Sequence, residues 1–323
     1  MNYSTSQQLI KNTKIFLSLK LYTFFDRLLE KKGTFYGWGR KKSGLKAVAL
    51  AKKFGTSFVL LEDGFIRSIG LGVDGSPSFS LVEDNVGIYY DATTPSKLEN
   101  ILNTYDFSCD TKLMQQANKA IELILQHNIS KYNNALNLPK NLFPKEEKRV
   151  LVVAQTAGDA SLKYGMLKNF TTDEMIQTAI EQNPDATVYL KIHPDVLSGK
   201  KDSDITLENL NKEVVVIEKN YNPIALLKHF DKVYTKTSGM GFEALLVGCE
   251  VVCFGMPFYA GWGITTDKVE CKRRKKQRTI QEVFAAAYIL YTRYYNPYKN
   301  RACDIFETIE EILHQKTLQF HKA

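Results

Sequence analysis

Three segments between Val150 and Glu243 carry residue types that could do chemistry. Val150-Leu-Val-Val-Ala154 runs into Gln155-Thr-Ala-Gly-Asp159-Ala-Ser161, and Val188-Tyr-Leu-Lys191-Ile192 runs into His193-Pro194. Val233-Tyr-Thr-Lys236 runs into Thr237-Ser238-Gly239-Met-Gly241-Phe-Glu243. An apolar run ending in polar or glycine residues is how a buried parallel strand reads where its carboxyl end opens into a site. Ligands of open α/β sheets bind at those ends. One sheet edge would then gather an Asp, a Lys, a His, a Thr-Ser-Gly loop and a Glu.

Each of these has a plain reading beside a chemical one. Thr237-Ser238-Gly239 joins a strand to a helix, where free backbone N–H groups suit an anion such as phosphate; a packing turn would look the same. Glu243 falls in the first helical turn, where acidic side chains are favoured anyway, and it could also accept hydrogen bonds from ribose hydroxyls. Lys191 and His193 lie two residues apart on one pleat face and could neutralise a departing phosphate. Asp159 follows Gly158 and would serve as a helix N-cap, or as a carboxylate that attacks an anomeric carbon. Glu62 and Asp63 offer a second carboxylate from the first half of the chain. Arg67 stands ready for an acidic sugar, or for a salt bridge to one of those two. The set suits a sugar nucleotide.

The elements that would position these residues alternate in type. An amphipathic opening helix is expected from Ile15, Phe16, Leu19, Tyr22, Phe24, Phe25, Leu28 and Leu29, with Lys14, Lys20, Arg27, Lys31 and Lys32 between them. A strand at 34–39, a helix at 44–54 and a strand from Phe58 follow, and 87–91 reads as a short strand. Ser96-x-x-Glu99 fits a capping box, and a long helix should span 112–125. Leu138-Pro139-Lys-Asn-Leu-Phe-Pro144 with the charged 145–149 reads as an interdomain linker. Beyond it, strands are expected at 150–154, 187–192, 214–217, 232–235 and 250–254, and helices near 172–182, 222–229 and 241–247. The stretches 279–295 and 305–316 read as helices packing back across both halves. The fold class is α/β, with two Rossmann-like domains facing a cleft (GT-B-like): 1–145 on the acceptor side with the opening helix, 146–278 for the sugar nucleotide, and 279–323 crossing between them.

Composition narrows the classes. At 323 residues the chain exceeds the size at which single cores usually split. Five cysteines without a Cys-x-x-Cys pair give no zinc signature and point to a reduced, cytoplasmic setting. No apolar run is long enough to cross a bilayer, and the first residues lack the order of a secretory signal. Net charge is +8, and six basic residues crowd into Lys272-Arg-Arg-Lys-Lys-Gln-Arg278. That run reads as a solvated loop or as a site for anionic lipid; nucleic acid is the weaker reading, because no groove-reading motif accompanies it. The opening segment adds a second place where the inner membrane face could be touched.

Taken together, Gly37-Trp-Gly-Arg-Lys41, Glu62-Asp-Gly-Phe-Ile-Arg-Ser68, Gly87-Ile-Tyr-Tyr-Asp91, Gln155-Thr-Ala-Gly-Asp-Ala-Ser161, Lys191-Ile-His-Pro-Asp195, Thr237-Ser-Gly239 and Tyr259-Ala-Gly-Trp-Gly263 recur in order. This set resembles the capsule polysaccharide β-Kdo transferases of the KpsC type, over roughly residues 34–297. The resemblance implies transfer of 3-deoxy-D-manno-oct-2-ulosonic acid (Kdo) from CMP-Kdo to a glycan or glycolipid, with retention of β configuration. It implies Asp159 as nucleophile, with His193 and the Thr237-Ser238 loop on the CMP phosphate and Glu243 on the ribose. Gln155, Lys191 and Gly239 join the donor-binding set, and Glu62, Asp63 and Arg67 sit on the sugar or acceptor side. No metal or other cofactor is expected, since no Asp-x-Asp pair stands at a strand end. Proteins of this type carry two such modules in tandem, and this sequence has room for one. Two rivals stand beside this reading: an inverting CMP-sugar transferase acting on another acidic sugar, such as sialic acid, and a non-catalytic glycan-assembly subunit.

Overall fold

In the computed structural model, which describes residues 1–139, 141–143, 147–192, 196, 205 and 214–320, the strands fall into two sheets. The first contains β1 (Asn2–Ser4), β2 (Lys20–Leu21), β3 (Thr34–Trp38), β4 (Phe58–Asp63) and β5 (Ser80–Asp84). The second contains β6 (Lys148–Val153), β7 (Ala186–Lys191), β8 (Val214–Ile217), β9 (Lys232–Thr235), β10 (Glu250–Cys253) and β11 (Thr266–Asp267). Two late strands, β12 (Thr292–Asn296) and β13 (Arg301–Cys303), return to the first sheet.

The second sheet is parallel throughout. Its order is β8-β7-β6-β9-β10-β11, the doubly wound arrangement, in which chain order reverses between β6 and β9. That reversal leaves a crevice at the carboxyl ends of those two strands. Its interior strands are unbroken apolar runs because both faces are covered: Val150, Leu151, Val152, Val233, Tyr234, Val251 and Val252 are all buried. The first sheet is mixed. β2, β1, β3 and β4 are parallel, whereas β5, β12 and β13 each run antiparallel to the preceding neighbour.

One continuous core joins the two sheets, reaching from Leu60 and Val82 to Leu151 and Val233. Beneath the cleft an aromatic stack ties them. Phe65 lies 4.8 Å from both Phe258 and Tyr288, centroid to centroid. Tyr288 belongs to a π-helical turn, Ala285–Leu290, that continues the helix Ile280–Phe284. Such turns interrupt regular helices mostly at functional sites.

Several sequence expectations change. The opening segment is not one helix: Gln7–Thr13 and Phe24–Leu28 are separate helices with β2 between them. Parallel pairing of β2 with β1 supplies hydrogen bonds that the helix would have made, and Thr23 restarts a helix with a complete capping box to Asp26. The helix expected over 279–295 stops at Leu290, and Thr292–Asn296 pairs with β5. Residues 87–91 form a loop rather than a strand. Buried Asp84 ends β5 by accepting hydrogen bonds from the N–H groups of Val86, Gly87 and Lys97. The Ser96 cap forms, but Glu99 turns away from it. Instead it meets Arg273 at 2.7 Å and Arg274 at 3.3 Å.

That contact also changes the reading of 272–278. Arg274 stacks 5.5 Å from Trp262, and Arg278 lies 4.9 Å from the Phe107 ring while donating to the Leu102 carbonyl. The arginines fasten the second half to helix Lys97–Thr104, leaving Lys272, Lys275 and Lys276 exposed. The opening apolar residues behave in the opposite way. Phe24, Phe25, Leu28 and Leu29 are 68–74% exposed. Among the described residues no helix is long and apolar enough to cross a membrane.

Candidate functional site

A cleft of about 860 Å³ opens where the carboxyl ends of the two sheets meet. Its second-sheet wall is the crevice between β6 and β9, and hydrogen bonds among neutral side chains set its shape. The Thr237 N–H donates to Gln155 Oε1 at 2.8 Å, which ties the loop after β9 to the loop after β6. The Gln155 amide nitrogen donates to Thr237 Oγ1 at 3.2 Å and Ser161 Oγ at 3.3 Å, and reaches Asp159 Oδ2 at 3.4 Å. Ser161 Oγ and Thr237 Oγ1 close the ring at 2.8 Å.

Asp159 caps helix Ala160–Tyr164 by accepting from the Ser161 N–H at 2.9 Å. Capping occupies Oδ1 and leaves Oδ2 with only the long contact to Gln155, so the two readings of this residue do not compete. The carboxylate is exposed at the cleft. Gly158 precedes it at φ +84°, a conformation that side chains resist. Ser238 and Gly239 line the cleft at the start of helix Met240–Val247. Gly241 lets that helix approach Tyr259, whose hydroxyl donates to the Ser238 carbonyl at 2.6 Å.

Lys191 ends β7 on the same wall. Burial lowers its pKa, against the pull of Glu243. Glu243 is buried at the cleft base, where Ser130 Oγ and the Lys131 N–H donate to its carboxylate. Burial outweighs those contacts and raises its pKa to about 7. The Ser130 contact means that one Glu243 oxygen is already engaged by the first half of the chain. His193 lies outside the described residues.

The opposite wall holds charges with few partners. Glu62, at the carboxyl end of β4, has its pKa raised to about 7 by burial, with Asp63 adding to the shift and Lys131 opposing it. Asp63 and Arg67 are ion-paired at 2.9 Å and do not line the cleft. Of the three residues expected on the sugar side, Glu62 alone faces the cavity. Sequence reasoning passed over Lys131, Tyr89, Tyr90 and Lys41, all of which line it. Tyr89 and Tyr90 belong to the 87–91 motif, but a strand there would have turned alternate residues away. Lys131 follows a helix in a stretch without periodicity, where a lysine reads as surface. A smaller apolar cavity of about 460 Å³, between Phe16 and Tyr294, lies apart from these groups.

Among the described residues no cluster could hold a metal ion. The cleft presents one exposed carboxylate, Asp159, two carboxyls whose pKa burial raises to about 7, Glu62 and Glu243, and the start of helix Met240–Val247. These are the parts needed to move a glycosyl group from a nucleotide to a hydroxyl.

Comparison with known proteins agrees in kind. The family model for capsule polysaccharide biosynthesis proteins matches residues 35–294. The capsule polysaccharide modification protein LipA of Neisseria meningitidis serogroup A is 42% identical over 284 residues, 85% of this chain and 40% of that protein. The chain thus spans about two-fifths of that relative's length. The KpsC β-Kdo 2,4 transferase of Thermosulfurimonas dismutans superposes with a TM-score of 0.88 at 43% identity, covering 96% of this chain and 97% of the other. The β-Kdo 2,7 transferase of the same organism gives 0.74 at 32% identity, with 98% of each chain covered.

Proposed function

The chain belongs to the capsule polysaccharide biosynthesis protein family, and from that premise we propose that it is a retaining β-Kdo transferase using CMP-Kdo in surface polysaccharide assembly. The observation that carries the proposal is the pairing of Asp159 and Glu62 across one cleft from two sheets. In the first step an Asp159 oxygen bonds to C2 of Kdo as the C2–O bond to the CMP phosphate breaks. Lys191, His193 and the start of helix Met240–Val247 take up the charge of the departing CMP, with Gln155, Thr237, Ser238 and Gly239 shaping its seat. In the second step an acceptor hydroxyl bonds to C2, the Asp159 ester bond breaks, and Glu62 receives the hydroxyl proton. Two inversions give net retention.

Glu62 is the better base of the two first-half carboxyls, because Asp63 is held by Arg67. Greater likeness to the 2,4 than to the 2,7 transferase supports a 2,4 linkage. Metal is not required in this scheme, so EDTA should leave transfer unchanged. The test is transfer from CMP-β-Kdo to a Kdo-terminated acceptor, with the new linkage read by NMR. A β-2,4 product fits the proposal. An α product would sink the retaining scheme, and a β-2,7 product would sink the linkage.

A second partner in this reading is an anionic bilayer face, inside the cytoplasm. Phe24, Phe25, Leu28 and Leu29 are each at least two-thirds exposed, beside Lys20, Arg27 and Lys32. Apolar side chains ringed by basic ones suit an interfacial helix on anionic lipid. Sedimentation with phosphatidylglycerol vesicles should lose about 10-fold or more in partitioning on Phe24→Ser with Phe25→Ser, the scale of unburying two aromatic side chains. Equal partitioning of variant and parent would exclude the patch.

A further inference from the structure

We propose that Lys131 forms a subsite for the carboxylate of an acidic donor sugar, and so selects an ulosonic acid over a neutral sugar. This rests on the reading of the cleft as a Kdo transferase site. The observation is a cation that is held in place but has no ionic partner. The Lys131 carbonyl accepts from the Arg67 and Ser68 N–H groups at 3.0 and 3.3 Å, and its own N–H donates to Glu243. The backbone is thereby pinned between the two halves of the chain. Its side chain lines the cleft and, among the described residues, forms no ion pair; its one ring contact is with Tyr132 at 5.9 Å.

Among the described residues none of the surrounding acids is ion-paired with that ammonium. Asp63 is committed to Arg67. Burial favours the proton-bearing forms of Glu62 and Glu243. Burial also works against the Lys131 ammonium, but Tyr89, Asp63, Tyr132 and Glu62 outweigh it and hold the pKa above the ordinary value. A cleft-lining ammonium that no carboxylate pairs with is placed to take the negative group of a ligand, which would offset the cost of its burial.

Two anionic ligand groups have to be divided between two walls. The phosphate belongs with Lys191 and the helix start at the β6–β9 crevice. A carboxylate on the anomeric carbon must lie beside the atom that Asp159 attacks, toward the opposite wall. Tyr89, Glu62, Lys131 and Asp159 line one cleft, so such a carboxylate would lie within it beside Lys131.

The test compares CMP-Kdo with CMP alone in the wild type, Lys131→Met and Lys131→Arg, with thermal melting as a control for folding. Lys131→Met should lower kcat/KM for CMP-Kdo roughly 10- to 100-fold, the effect of losing a hydrogen bond to a charged group. The inhibition constant of CMP should stay within about 2-fold, since CMP lacks the carboxylate, and Lys131→Arg should recover part of the loss. Parallel weakening of CMP and CMP-Kdo, or of neither, would overturn the subsite. Should Lys131→Met fail to fold, Lys131→Gln replaces it: a loss confined to CMP-Kdo supports the subsite, and equal losses with both ligands, or with neither, overturn it. If the wild type transfers no Kdo, the functional reading fails and the subsite with it. If the wild type transfers Kdo and only the variant pattern is wrong, the subsite alone fails.

Discussion

The two walls of the cleft solve different problems. The second-sheet wall carries Lys191 at the end of β7, but the crevice beside it is shaped by neutral groups, Gln155, Ser161 and Thr237, that bond to one another and leave Asp159 exposed. The first-sheet wall carries ionisable groups, Glu62, Tyr89 and Tyr90, whose pKa values burial raises, and Lys131, whose ammonium nearby groups favour against burial. The crevice loops fix the position of Asp159, and burial in the opposite wall raises the proton affinity of Glu62. In a double displacement this is a sensible split: the nucleophile must be ionised and well aimed, whereas the acceptor's base must bind and release a proton near neutral pH.

The sharpest way to break the comparison is to remove the residue proposed as the nucleophile. Asp159→Ala should lower transfer by on the order of 10³-fold or more, with CMP affinity and melting temperature nearly unchanged. Near-normal turnover would show that the wall aims nothing. On the other wall, Glu62→Gln should cost roughly 10²-fold and should change the pH profile. A base with pKa raised to about 7 is competent above that pH, so wild-type kcat should fall as pH drops below about 7. The glutamine variant should be flat over that range; an acid limb that persists would assign it to another group.

Glu243, at the base of the cleft, tests the effect of burial through stability. Its folded pKa of about 7 against an ordinary value of 4.5 means that the fold prefers the protonated acid. The stabilisation is full below about pH 4.5 and is lost as pH rises through 7. Glu243→Gln keeps the acceptor for Ser130 without the charge. It should therefore be more stable than the wild type by up to about 3 kcal/mol at pH 8 and nearly equal to it at pH 4. A pH-independent difference in melting would contradict the shift. The smallest effect is expected from Gln155→Ala, which loosens the wall without removing a reacting group. A drop of about 10-fold in kcat/KM is expected, the scale of one or two neutral hydrogen bonds.

How far the sequence could be read differs between the same two regions. The second sheet was legible nearly strand by strand, because a sheet covered on both faces needs unbroken apolar runs, and Val150 to Val153 and Val251 to Cys253 supply them. Lys191 at the end of β7 and the loops of Gln155 and Thr237 after β6 and β9 line the cleft because they follow such runs. The first sheet was harder. Thr292–Asn296 alternates buried and exposed residues, but it follows a helical stretch so closely that the change of period was hidden. Lys131 and the arginines of 272–278 gain their meaning from partners far away in sequence, Glu243 and Glu99, and no local pattern announces such a contact. The exposed apolar residues near Phe24 were visible in the sequence, yet their spacing suggested one helix where a short strand intervenes.

The most direct test of the central claim is mass spectrometry of the protein incubated with fresh CMP-Kdo and no acceptor. The account predicts a single Kdo added to the intact chain, located to the peptide that contains Asp159 and absent from Asp159→Ala. Transfer to acceptor by the Asp159→Ala protein, or an adduct on any other residue, would contradict it.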